Sequence, residues 1–111
     1  MGLGDINLEI AIKTIIKEIK SSEEYRKYIQ QKELIKQDAE VLQKVDELRS
    51  LNFELQNAPE SFDDSQEEQL EDRIEELYED SRLNDYMQAE IDFCKLFQNI
   101  LSKITQGIDF E

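Results

Sequence analysis

The sequence predicts an all-α protein, and three observations carry that reading. Only three Gly and one Pro occur in 111 residues, so the chain has few places where a helix must stop. Apolar residues recur at spacings of three and four, with none of the strict alternation of a half-buried strand. The dominant side chains, Glu, Lys, Leu, Ile and Gln, are good helix formers. The expected architecture is a helical bundle built on a long antiparallel helical hairpin, with shorter N-terminal helices, in which residues 1–111 form a single domain. A chain of this length buries a limited core, which points to an oligomer whose partner surface completes it.

The first helix is expected over about residues 6–20, with Asp5 as cap and Leu8, Ile12, Ile15, Ile16 and Ile19 at helical spacing. Ser21 and Glu24 have the separation of a capping box, in which each side chain satisfies a backbone N–H at a helix start. A second, shorter helix follows, with Tyr25, Tyr28, Ile29, Lys32 and Ile35 on its inner face. Asp38 caps a third, on which Val41, Val45, Leu48, Asn52 and Leu55 alternate by four and three like a coiled-coil seam. Asn52 lies in that seam, where a polar residue fixes register at some cost in stability.

Residues 57–65, "NAPESFDDS", gather Asn, the only Pro, Asp and Ser into the clearest loop and predict the hairpin turn. A fourth helix starts at Asp64 or Ser65 and carries Leu70, Ile74 and Leu77 on one side. Glu68, Asp72, Glu75 and Glu79 share the opposite side. The last helix is expected from about Leu83 to Gln106, with Leu83, Tyr86, Phe93, Cys94, Leu96, Phe97, Ile100, Leu101 and Ile104 covering close to half its circumference. One neighbouring helix cannot cover so wide a stripe, which predicts a second subunit or the N-terminal helices folded over it. Glu90 falls inside the stripe. A lone buried carboxylate there is costly, so a hydrogen bond to Tyr25, Tyr28 or Lys32 is expected to fix how this helix docks.

Charge and composition exclude several classes of function. There is no His, and Cys94 is the only Cys, so an intramolecular disulfide, an all-cysteine metal site and the commonest general base are all absent. Cys94 reads as a small core residue, and neither a cofactor nor enzymatic activity is expected. No apolar run reaches bilayer length and no signal-peptide pattern opens the chain, which predicts a cytoplasmic protein without membrane contact. The formal charge of −14 is uneven: residues 1–57 hold nine Lys/Arg against eleven Asp/Glu, and residues 58–111 hold four against sixteen. Such a surface repels phosphate backbones, so direct nucleic-acid binding is not expected and a basic protein is the natural neighbour.

The "SSEEY" of residues 21–25 with Tyr28 following, the acidic or polar helix pair, and "YMQAE" at 86–90 ahead of a long apolar helix together resemble the YlbF/YmcA family of small bacterial proteins. The resemblance covers residues 6 to about 108. By position, Ser22, Glu24 and Tyr25 match the family's Ser-x-Glu-Tyr element, and Tyr86, Ala89 and Glu90 its Tyr-x-x-Ala-Glu element. It implies an all-α, oligomeric, non-enzymatic regulator of competence, sporulation and biofilm development. Such a protein works in a complex of YlbF/YmcA-like chains with the endoribonuclease RNase Y on mRNA processing. The iron–sulfur cluster that some members share needs several thiolates, and the single Cys94 departs from that pattern. The expected mechanism is docking of the acidic stripe Glu68, Asp72, Glu75 and Glu79 on a basic protein, with self-association as homodimer or tetramer. The alternative is an inhibitor whose acidic face mimics nucleic acid and occupies the groove of a nucleic-acid-binding protein.

Overall fold

The computed structural model describes residues 5–108. Five helices and no strand occur among them: α1 (Ile6–Lys20), α2 (Glu23–Lys36), α3 (Ala39–Gln56), α4 (Asp64–Tyr78) and α5 (Ser81–Ile108). The expected helical bundle packing is present.

Side-chain caps set most of these boundaries. Asp5 accepts from the N–H groups of Asn7 and Leu8 at 2.9 and 3.2 Å, and Asp38 accepts from the Val41 N–H at 3.3 Å. Each satisfies backbone donors that the helix itself leaves open. At α4 the capping box is reciprocal: Asp63 Oδ1 accepts from the Gln66 N–H at 2.8 Å, and Gln66 Oε1 from the Asp63 N–H at 3.0 Å. At α5, Asp80 Oδ1 accepts from the Arg82 N–H at 3.0 Å. The helix therefore starts at Ser81 rather than Leu83, and it runs on to Ile108.

The capping box expected of Ser21 and Glu24 is corrected. Ser21 is the C-cap of α1 and its hydroxyl donates to the Lys17 carbonyl. Ser22 starts α2: its Oγ accepts from the Tyr25 N–H at 3.1 Å and donates to the Ile19 carbonyl at 2.6 Å. One hydroxyl thus closes one helix and opens the next, which a Ser one residue earlier cannot do.

The chain falls into two compact units. One comprises Gln31–Gln88, and the other joins the stretch up to Gln30 with that from Ala89 onward. In Gln31–Gln88 the core is Ile35, Val41, Val45, Leu48, Leu77, Leu83, Tyr86 and Met87, all buried. Burial of a Val, Leu or Met side chain contributes about 1.5–3 kcal/mol. Helices α3 and α4, joined by residues 57–63, pack antiparallel here. Arg73 on α4 reaches Glu47 on α3 in a two-pronged ion pair, 2.7 and 2.8 Å, whose planar fork fixes the register of the two helices. Asn52, at the edge of this seam, is half-buried.

The other unit has almost no closed core. Ala89 is its one buried apolar residue among those described, and α1 buries none of its side chains. The inward positions expected on the first helix, Leu8, Ile12, Ile15 and Ile16, are exposed, with Ile19 half-buried. Cys94 is exposed, contrary to its expected place in a core. Phe97, Leu101 and Ile104 of the predicted stripe are exposed as well. The stripe is real as a pattern, but its cover is uneven: Leu83 and Tyr86 are buried, Phe93, Leu96 and Ile100 half-buried, and Cys94, Phe97, Leu101 and Ile104 exposed.

Candidate protein-interaction surfaces

Charge divides between the two units more sharply than between the halves of the sequence. Residues 31–88 hold eighteen Asp/Glu against six Lys/Arg, a net of −12 out of −14, leaving nine against seven for the remainder. The neutral unit takes both ends of the chain, so a cut at mid-sequence mixes the two.

Within the acidic unit, the basic groups of α3, α4 and the first turn of α5 are engaged. Arg73 holds Glu47 and also Glu76, 2.9 Å away. Lys44 pairs with Asp80 at 2.9 Å and with Glu40 at 3.3 Å. Arg82 binds Asp38 at 2.6 Å and Asp80 at 2.7 Å. Asp80 is the centre of this cluster, its side chain nearly covered, and hydrogen bonds from Arg82 first and Lys44 second hold its carboxyl far below the usual carboxylate range. Glu47 is lowered by its hydrogen bonds to Arg73. The same contacts raise Arg73, Arg82 and Lys44. Lys44 lies 36 positions from Asp80 and Arg82 lies 44 from Asp38, so these pairs gave no local signal in the sequence.

Glu68, Asp72, Glu75 and Glu79 are all exposed, and none makes a side-chain ion pair among the described residues. Their spacing of four, three and four keeps them on one helical face. Arg73, next in sequence to Asp72, is turned to Glu47 and does not neutralise the stripe. What α4 offers is a row of four solvated carboxylates on a helix anchored from behind.

The residues of the two short sequence elements fall as follows. Ser22 caps α2, and Tyr25 and Tyr28 both meet Phe93 of α5, each with ring centroids 5.4 Å apart, the first edge-on and the second stacked. Such pairs add to the apolar burial of the rings. Glu24 and Ala89 line one cleft of about 540 Å³ in the neutral unit, together with Lys27, Asp92 and Lys95. Glu90 is half-buried and Tyr86 is buried in the acidic unit's core. Phe93 was read from sequence only as part of a stripe, yet it is the residue on which both tyrosines converge.

A family model described as "Control of competence regulator ComK, YlbF/YmcA" matches residues 9–109. The chain belongs to the YlbF/YmcA family. The match takes in the capping serine, the tyrosines against Phe93, the acidic helix and all of α5, and the family's description gives the chain a regulatory role. No curated protein and no solved structure matches the chain significantly. No described helix is long and apolar enough to cross a membrane.

Proposed function

We propose that this chain is a non-enzymatic oligomeric adaptor of the YlbF/YmcA type, acting in the cytoplasm with like chains to modulate RNase Y-dependent mRNA processing and developmental gene expression. Its 111 residues act as one domain, since α2 and α5 each run through the division between the units. The observation that carries the docking mechanism is the row Glu68, Asp72, Glu75 and Glu79: exposed, unpaired, and set on the unit that bears nearly all the net charge. Self-repulsion at that density disfavours the compact state, and a basic protein surface relieves it. The partner is then a basic segment of the ribonuclease or of a protein bound to it.

The test is capture from native lysate by the tagged protein, comparing wild type with the fourfold reversal Glu68→Lys, Asp72→Lys, Glu75→Lys and Glu79→Lys. Loss of ribonuclease capture with unchanged helicity supports docking by the stripe; undiminished capture removes it. The acidic row also favours a second reading, a nucleic-acid mimic. Added RNA or DNA displaces a mimic from its target, whereas an adaptor stays bound beside the nucleic acid.

A further inference from the structure

We propose that the cleft between α2 and α5 in the neutral unit holds an extended, mixed-charge peptide segment of a partner protein, its cation on Glu24 and its anion on Lys95. This goes beyond the acidic row, which lies on the other unit, and stands or falls independently of it.

All of the cleft's walls belong to one unit. Glu24 and Lys27 of α2 and Asp92, Lys95 and Asn99 of α5 line a space of about 540 Å³, with Ala89 and Leu96 as its apolar part. That volume is within the ~300–1,000 Å³ of ligand clefts. The apolar seam of α5 runs from Leu83 through Met87, Cys94, Phe97, Leu101 and Ile104 to Ile108, and helical period puts Asp92, Lys95 and Asn99 on the opposite side of the helix. The cleft is therefore separate from that seam.

Some of its charges are already matched. Lys27 Nζ lies 3.1 Å from Glu23 Oε1, also at the cleft, and Asp92 has a partner as well. Glu24 and Lys95 line the same space yet make no ion pair with each other or with any other described residue. Glu24 is half-buried, so its carboxylate has given up part of its hydration without a partner in return. One carboxylate is left for a cation and one ammonium for an anion. Arg suits the first, because its planar fork meets a carboxylate in two hydrogen bonds. The Asn99 carboxamide offers one acceptor and two donors, enough to answer both the N–H and the carbonyl of a peptide group.

The same groups disfavour other ligands. A phosphate-bearing molecule meets the carboxylates of Glu23, Glu24 and Asp92, which outnumber the ammonium groups of Lys27 and Lys95. A metal ion meets both lysines, and no cluster of the described residues could hold one. An apolar molecule finds only Ala89 and Leu96. Shape points the same way: the α5 wall from Ala89 to Asn99 is about 15 Å long at the standard helical rise. An extended segment of about four or five residues, at ~3.3 Å each, fills that length.

The test follows backbone amide spectra of the isotope-labelled full chain during titration with end-blocked tetrapeptides that carry one Arg and one Glu, two Arg, two Glu or neither, and with the same peptides bearing free ends. Shifts confined to the cleft are expected, with the Arg-plus-Glu peptides bound about tenfold more tightly than the rest, since each matched charge adds a charge-assisted hydrogen bond. Lys95→Glu should transfer the preference to the two-Arg peptides, a reversal that loosened packing does not produce. Glu24→Gln should weaken Arg-plus-Glu binding about tenfold. Equal binding of all the peptides, an unchanged preference in Lys95→Glu, or no shift at about 10 mM peptide, where a site with a Kd of ~1 mM is filled, overturns the proposal. Binding that needs free termini overturns a protein segment as the occupant. If Glu24→Gln disturbs the start of α2, Lys95→Glu alone decides. Both variants leave the α4 row intact, so ribonuclease capture reports on the adaptor reading separately.

Discussion

Truncating Leu48 to Ala tests whether the acidic unit holds the main core. Leu48 has no exposed surface, and Leu48→Ala removes three buried carbons, a transfer loss of about 2.4 kcal/mol at ~0.8 kcal/mol per carbon. Partial collapse around the remaining cavity adds to that, for a total of about 3–4 kcal/mol. The same change at Leu101, 49% exposed, forfeits about half the transfer term in an isolated chain and leaves no closed cavity, so about 1 kcal/mol is expected. Urea unfolding followed by circular dichroism, at a protein concentration low enough to keep the chains apart, measures both. Raising the concentration should enlarge the Leu101→Ala penalty and leave that of Leu48→Ala unchanged, because association adds only to the former. A loss below about 1 kcal/mol for Leu48→Ala, or equal losses for the two variants in dilute solution, would refute the assignment of the core.

The remaining predictions concern the caps and the ion cluster. Ser22→Ala should cost about 1 kcal/mol, since it strips the acceptor from the Tyr25 N–H, whereas Ser21→Ala should cost a few tenths; equal thermal shifts would contradict the cap seen here. Asp80 has a depressed folded-state pKa, so its stabilising contribution is present above the unfolded value near 4 and is lost as pH falls through that value toward the folded one. Asp80→Asn should therefore destabilise at pH 7, with the gap to wild type closing below about pH 4. Denaturant midpoints across pH check this, and a pH-independent gap would count against the cluster.

Most local structure was legible because it is written in adjacent residues. Asp5, Asp38 and the 57–65 loop announce helix boundaries by chemistry acting over two or three residues, and the helices appear where the spacing of Leu, Ile and Val put them. The exception among the caps, Ser22 for Ser21, is a contest between neighbours of identical chemistry. It is decided by which hydroxyl reaches both the Ile19 carbonyl and the Tyr25 N–H. The acidic stripe was equally legible, because helical period alone puts Glu68, Asp72, Glu75 and Glu79 on one side of α4.

Pattern says which residues share a face, but not whether anything covers it. The seam of α5 reads the same from Leu83 to Ile108, yet Leu83 and Met87 are buried while Cys94, Phe97 and Leu101 are exposed. Coverage is a property of neighbours brought in from elsewhere in the chain. Phe93 meets two tyrosines more than sixty positions away, and Asp80 meets Lys44 from 36 positions away, by the same kind of long-range closure. The sequence by itself determined the helices, most of their caps, the family and the total charge, all of which follow from composition and short-range spacing. Only the tertiary structure decided that this charge gathers in one unit and the uncovered apolar surface in the other, because the neutral unit is assembled from the two ends of the chain.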